Sequence, residues 1–190
     1  MLDERVERVL EAIRSLTVEQ RQTLWRRLEE EQVLPGRSET AAKPLFLERE
    51  HARLQGPADY LIVFDGGSRG NPGPGYGSYR LTRVSDGAVD TVRLDFEQEM
   101  TSNEAEYYSL IAALEGLIGR IEAARRDPAA FTVEVRGDSA LVIRQTKGVW
   151  KAKDDRMRFL RNRVRELLAR FKDCRLVLQG REESVRVLGH

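Results

Sequence analysis

Apolar and polar positions alternate in two different ways along this chain, and the change comes near residue 56. Leu2, Val6, Val9, Ile13 and Leu16 recur at spacings of four and three, which predicts one amphipathic helix. Thr17 followed by Gln20 has the form of a capping box, so a second helix is expected from there to about Gln32. Its buried side would be Leu24, Trp25 and Leu28, and Leu34-Pro35-Gly36 would end it. A linker and a short amphipathic stretch, Leu45 to Leu54, lead to the break at Gly56-Pro57.

From Tyr60 the pattern becomes that of strands and long helices. YLIVFD reads as a short apolar strand, and GGSRGNPGPG after it as a loop. Tyr76–Val84 and Ala88–Glu97 read as two strands of a hairpin turned at Ser85-Asp86-Gly87. Thr101 with Glu104 forms a second capping box, and Tyr107, Ile111, Leu114, Ile118 and Ile121 make one helical stripe. FTVEV (131–135) is a strand, Ser139 to Thr146 a helix, and Lys147-Gly148-Val149-Trp150 a break. A helix from Asp154 to about Phe171 would bury Met157, Leu160, Val164, Leu167 and Phe171, and RLVLQ (175–179) is the last strand. The order β-β-β-α-β-α-α-β implies an α/β domain built on a mixed sheet flanked by helices.

Composition limits the organisation. The 190 residues, 41% apolar and 33% charged, suffice for one core and an appendage, so residues 1–56 are expected as a helical extension and linker and 57–190 as the domain. No apolar run approaches the roughly 18–20 residues of a membrane helix, and MLDERVERVL lacks the apolar segment of a secretory signal. A single cysteine, Cys174, excludes an internal disulfide or a zinc cluster of cysteines. A cytoplasmic location without membrane contact is expected.

The net charge of +1 is unevenly spread: residues 57–135 carry a net of −6 and residues 136–190 a net of +8. A basic surface for polyanions beside an acidic centre is one reading, and ordinary solvated helix faces are the other. Arg156, Arg158, Arg161, Arg163 and Arg165 are open to both readings.

Three acids stand where chemistry could gather. Asp65 ends an apolar strand, Glu106 lies in the first turns of the long helix, and Asp138 follows FTVEV at its carboxyl end. Strand ends of α/β sheets are where sites form. Converging carboxylates suit a hard divalent cation, which offsets their repulsion and can activate water at phosphorus. Singly, each has a plain structural role as well: a turn at Asp65-Gly66, a helix-start acid at Glu106, a helix cap at Asp138-Ser139.

The text around these acids is more specific. FDGGSRGNPGPGYG (64–77), TSNEAEYYSLIAALEGL (101–117) and VEVRGDSALVIRQTKGVWKAKDD (133–155) occur in that order. Together they resemble the motifs of type 1 ribonuclease H, and the resemblance covers residues 60–187, about two thirds of the chain. It implies a ribonuclease H-like mixed five-stranded sheet flanked by helices, here preceded by an N-terminal helical hairpin. It also implies metal-dependent hydrolysis of the RNA strand of an RNA–DNA hybrid, with two Mg²⁺ ions per site or Mn²⁺ in their place. By match of motif, Asp65, Glu106 and Asp138 fall on the catalytic metal ligands, with Gly66 beside them. Ser68, Asn71, Thr101, Ser102, Asn103 and Ser139 fall on substrate-contacting positions. Trp150, with Lys147, Lys151 and Lys153, would meet the DNA strand, although Trp150 also reads as a core residue.

The resemblance implies a fourth carboxylate in a closing segment, and here the text departs from it. Aligned on Arg181-Glu182, the expected Asn is Ser184 and the expected Asp is Leu188, and the final helix is expected to be absent. Glu182, Glu183, His190 or the terminal carboxylate would be substitute ligands. A hybrid-binding module with weak or no catalysis is the alternative function. Residues 1–34 would serve homodimerisation or protein docking, or pack on the chain's own sheet.

Overall fold

The computed structural model describes residues 56–189, together with Arg8 and Ala12. The helical hairpin expected over residues 1–34 and the stretch 45–54 lie outside the described residues, as does His190.

Within residues 56–189, five strands and four α-helices follow one another as β1 (Tyr60–Ser68), β2 (Gly73–Arg83), β3 (Ala88–Met100), α1 (Ser102–Ala123), β4 (Thr132–Gly137), α2 (Ala140–Lys147), α3 (Asp155–Leu168), β5 (Asp173–Leu178) and α4 (Arg181–Leu188). The sheet order is β3-β2-β1-β4-β5. The β1–β2 and β2–β3 pairs are antiparallel, and β1–β4 and β4–β5 are parallel. This is the mixed five-stranded sheet the sequence implied.

Period-two alternation explains the sheet's inner face. Ile62 and Phe64 on β1, Tyr79 and Leu81 on β2, Val133 and Val135 on β4, and Leu176 on β5 all join one core. The expected stripe of α1 is buried throughout, from Tyr107 to Ile121, as are Met157, Leu160, Val164, Leu167 and Phe171. Each fully buried aliphatic side chain of this kind contributes about 1.5–3 kcal/mol. Arg80, between Tyr79 and Leu81, points to the other face and donates to the carbonyl of Val187 (3.3 Å), which places the end of α4 there.

Helix starts match their caps. Thr101 accepts from Glu104 N (3.3 Å), and Glu104 Oε2 accepts from Thr101 N (2.8 Å), closing the capping box. Ser139 caps α2 and Asp154 caps α3.

Two expectations are corrected. The glycine-rich segment after Asp65 is not all loop: β1 runs on to Ser68 and β2 begins at Gly73, with Gly66 opposite Gly77 and Ser68 opposite Gly75. The ladder needs only backbone groups, so glycines do not stop it when both strands already face each other. The closing segment is also not devoid of a helix, because Arg181–Leu188 forms α4, ended by Gly189 in the left-handed region at φ 81°. Buried Ser184 and Leu188 give that short helix its inner side.

Candidate active site

The register of the parallel strands is set at their amino ends. Asp59 Oδ2 accepts from Thr132 N (2.8 Å), and Asp59 N donates to Thr132 Oγ1 (3.0 Å). Val63 then faces Arg136, so continuing the ladder by two residues brings Asp65 level with Asp138 on adjacent strands. Adjacent strands lie about 4.8 Å apart, so these two carboxylates share one end of the sheet. On the far side of β4, Gly137 pairs with Leu178, and Gln179 N donates to Gly137 O (3.0 Å). Asp65, Asp138 and Gln179 therefore form a row across three parallel strand ends.

Glu106 arrives from α1, and glycine decides how closely. A Cβ on Gly66 would lie 2.5 Å from the carbonyl carbon of Ala105 and 2.6 Å from Glu106 N. On the partner strand, a Cβ on Gly77 would lie 1.9 Å from Ser109 Oγ. The bare backbone at this pair lets the first turns of α1 rest on the sheet, which sets Glu106 beside Asp65.

A hollow of about 370 Å³ results, lined by Asp65, Gly66, Gly67, Ser68, Tyr76, Ser102, Glu106, Asp138, Gln179 and Arg181. Gly66 N donates to Asp65 Oδ1 (2.8 Å), and Ser139 Oγ donates to Glu106 Oε2 (2.5 Å). Burial pushes the Glu106 carboxyl up to about 7; the Ser139 hydroxyl opposes this, the negative charges of Asp65 and Asp138 add to it, and Arg181 pulls it back. Three acids here outweigh one guanidinium, a charge excess that a hard divalent cation would relieve. Among the described residues no three His, Cys, Asp or Glu are drawn close enough together to hold a metal ion as they stand. The turn of Glu106 toward Ser139 is consistent with that spacing. The donor set nonetheless fits such a cation, being oxygen throughout and mutually repulsive without one.

The sequence candidates divide between two places. Asp65, Gly66, Ser68, Ser102, Glu106 and Asp138 line the acidic hollow. Asn103, Trp150, Lys151 and Lys153 line a second, shallower groove. Trp150 is 41% exposed, with the Arg144 guanidinium 4.8 Å over its ring, which removes the core reading.

The other four candidates line neither. Asn71 Oδ1 accepts from Ser102 N (3.3 Å), Thr101 caps α1, Ser139 supports Glu106, and Lys147 ends α2. Of the arginine row, Arg156 is paired with Glu104 and Arg163 with Glu115, while Arg165 donates to Thr146 O (2.8 Å).

Gln179, Arg181 and Tyr76 line the hollow and were not among the candidates. Parallel register could have indicated Gln179, since it lies one residue past the end of the strand beside Asp138. Of the substitutes considered for a fourth carboxylate, neither Glu182 nor Glu183 lines it, and His190 lies outside the described residues. Glu183 is paired with Arg186, and Leu188 is buried at 5% exposure.

With this geometry in view, residues 64–187 match the family described as reverse transcriptase-like. Ribonuclease HI of Halobacterium salinarum is 43% identical over 110 residues, which is 58% of this chain and 51% of that protein. A bifunctional protein of Mycobacterium tuberculosis is 38% identical over 118 residues, 59% of this chain and 29% of its own. The chain thus spans about half the length of the first of these relatives and under a third of the second. The crystal structure of RNase H1 from Halobacterium salinarum superposes with a TM-score of 0.57 at 37% identity, covering 67% of this chain and 89% of that one. A compost-derived RNase H1, solved in complex with an RNA/DNA hybrid, gives a TM-score of 0.56 at 31% identity, with 67% and 89% covered. The chain belongs to the reverse transcriptase-like family, in its type 1 ribonuclease H branch.

Proposed function

We propose that this protein is an endoribonuclease that hydrolyses the RNA strand of RNA–DNA hybrids, leaving 5′-phosphate and 3′-hydroxyl ends. The observation that carries the reading is the meeting of Asp65, Glu106 and Asp138 around one hollow at the carboxyl end of parallel strands. Its support is the family, one of whose solved members is held on an RNA/DNA hybrid.

Asp65, Glu106 and Asp138 would hold the divalent ions, two per site, as Mg²⁺ with Mn²⁺ as a substitute. When bound, such ions supply an activated water and charge for the departing 3′-oxygen. The chain's own residues do the rest. Asp65 and Asp138 fix a negative floor, and Ser139 orients Glu106. Ser68 and Ser102, whose hydroxyls lie 3.2 Å apart on the rim, suit a 2′-hydroxyl, the group that distinguishes RNA from DNA. Trp150, Lys151 and Lys153 suit the DNA strand, by stacking and by phosphate contact.

A cytoplasmic location belongs to the same reading. Among the described residues no helix is long and apolar enough to cross a membrane. Homodimerisation or protein docking through residues 1–34 is a separate proposal, tested by gel filtration of the full chain.

One observation favours a second reading, a hybrid-binding module of little activity: among the described residues no fourth carboxylate lines the hollow, and Leu188 is buried instead. Cleavage of end-labelled hybrid in Mg²⁺ and in Mn²⁺, beside duplex RNA and duplex DNA, decides between them. Hybrid-only cleavage that is lost in Asp138→Asn supports the nuclease. Hybrid binding that persists in chelator, without cleavage in either metal, supports the module.

A further inference from the structure

The acidic hollow and the basic groove are separate places, and a hybrid that uses both needs them held at a fixed offset. The groove is formed by the segment after α2. There Gly148 adopts the left-handed region at φ 86° and residues 149–153 have no regular structure. A stretch without a helix or ladder of its own must be anchored by something else.

Two bonds reach it from α2, beside one from α3 in which Arg158 donates to the carbonyl of Lys153 (3.0 Å). Trp150 N donates to Arg144 O (3.1 Å), the last turn of α2 acting on the loop. Gln145 Nε2 donates to the carbonyl of Lys151 (3.4 Å). Ala152, buried between exposed Lys151 and Lys153, sets the alternation that turns both lysines outward.

Gln145 is itself buried, at 6% exposure, and its other end is also engaged. Its Oε1 accepts from the hydroxyl of Tyr107 (2.9 Å), a side chain with no exposure at all. Tyr107 is the neighbour of Glu106 on α1. Burial pushes the Tyr107 phenol up to about 12, with Thr146, Arg161 and Arg165 pulling the other way. The amide accepts from Tyr107 through its oxygen and donates to Lys151 through its nitrogen, joining the two. From behind, Arg165 of α3 donates to the main-chain carbonyls of Gln145 (3.3 Å) and Thr146 (2.8 Å), so the amide cannot drift with its helix.

We infer that Gln145 is a positioning residue, holding the Trp150–Lys153 loop in fixed relation to the helix that carries Glu106 so that a duplex lodged on the loop is presented to the acidic hollow. The inference rests on the hybrid-cleaving reading above. Gln145 touches neither hydrolytic water nor phosphate in this role; it acts through Trp150, Lys151 and Lys153.

The test uses the full chain and a fluorescein-labelled RNA–DNA hybrid. Steady-state cleavage in Mg²⁺ gives KM and kcat, and anisotropy in chelator gives Kd without turnover. The variants are Gln145→Leu, Tyr107→Phe, Trp150→Ala and the Gln145→Leu/Trp150→Ala double. Gln145→Leu is expected to raise KM and Kd about tenfold while kcat stays within about threefold. The double variant is expected to bind no worse than the weaker single, because both changes remove the same loop contact.

Tyr107→Phe removes one hydroxyl and keeps the fold if Gln145→Leu does not; a two- to threefold rise in KM and Kd is expected. Unchanged Kd in folded variants would overturn the inference. So would full additivity with Trp150→Ala, or a fall in kcat with KM unmoved. Wild-type chain that binds hybrid but fails to cleave it would strike the nuclease reading alone, since the Kd comparison still decides the role of Gln145.

Discussion

Ser139 Oγ does two things at once: it accepts from Val142 N (3.3 Å) as the cap of α2, and it donates to Glu106 Oε2 (2.5 Å) on α1. One hydroxyl thus joins the helix that follows Asp138 to the helix that carries the third acid. Ser139→Ala removes the cap and the carboxylate's donor together. Loss of a serine cap costs about 1 kcal/mol, so the melting temperature should fall by about 2–4 °C. Hybrid cleavage should fall further than that, with the Mg²⁺ needed for half-maximal rate rising several-fold. Gly at the same position, which caps nearly as well but has no hydroxyl, separates the two effects. It should recover most of the stability and none of the metal response.

The charge of Glu106 gives a pH prediction whose sign can be worked out. Burial, with Asp65 and Asp138 adding to it, holds this carboxyl near 7 in the folded chain, above its ordinary value near 4.5. Between those values the folded state binds a proton that the unfolded state has lost, so stability falls as pH rises through that window. Glu106→Gln removes the ionising group. In chelator, it should melt several degrees above wild type at pH 8, and the gap should close as pH falls to about 4.5. Equal melting of the two proteins at pH 8 would show that Glu106 carries no burden there.

How far this could be read beforehand varies with the kind of interaction. The α1 stripe and the capping box at Thr101 were legible because helical periodicity and caps are local. That Asp65, Glu106 and Asp138 would share one hollow was legible through their surrounding motifs. Gln179 and Arg181 were not, because they join the hollow through the parallel pairing of β4 with β5, a contact between distant segments. The helix at Arg181–Leu188 was missed because eight residues give too little periodicity, and its order comes from packing on β1 and β2.

The close approach at Gly66 is a second place to test the site by its geometry. A Cβ there would lie 2.5 Å from the main chain of Ala105, which is backbone and cannot swing aside. Gly66→Ala must therefore lift the start of α1 from β1. A cost of about 1–3 kcal/mol is expected for such overpacking. Cleavage should be lost well beyond what that destabilisation explains, because Glu106 moves away from Asp65. Urea denaturation of the variant, with cleavage measured far below its midpoint, separates the two. A variant that is destabilised yet turns over normally would mean that Glu106 tolerates the shift.

Leu188 is the position where the type 1 motif leads one to expect an acid, and restoring it is the obvious attempt to strengthen the enzyme. The structure argues for the opposite outcome. Leu188 is 5% exposed on the last turn of α4, does not line the hollow, and lies next to Val187, whose carbonyl is held by Arg80. Leu188→Asp would remove an apolar contact and place a carboxylate at a buried position. An acid placed so either protonates or forces α4 off the sheet, and each outcome costs stability. A loss of about 2–4 kcal/mol is expected, in the range of other large-to-small core changes. The melting temperature should drop by several degrees, with no rise in kcat in Mg²⁺ or Mn²⁺. Leu188→Asn, of similar size but uncharged, should be less destabilising at pH 8 and more nearly equal at pH 4. A clear gain of activity in Leu188→Asp would show instead that α4 can rotate to bring a fourth carboxylate into the hollow.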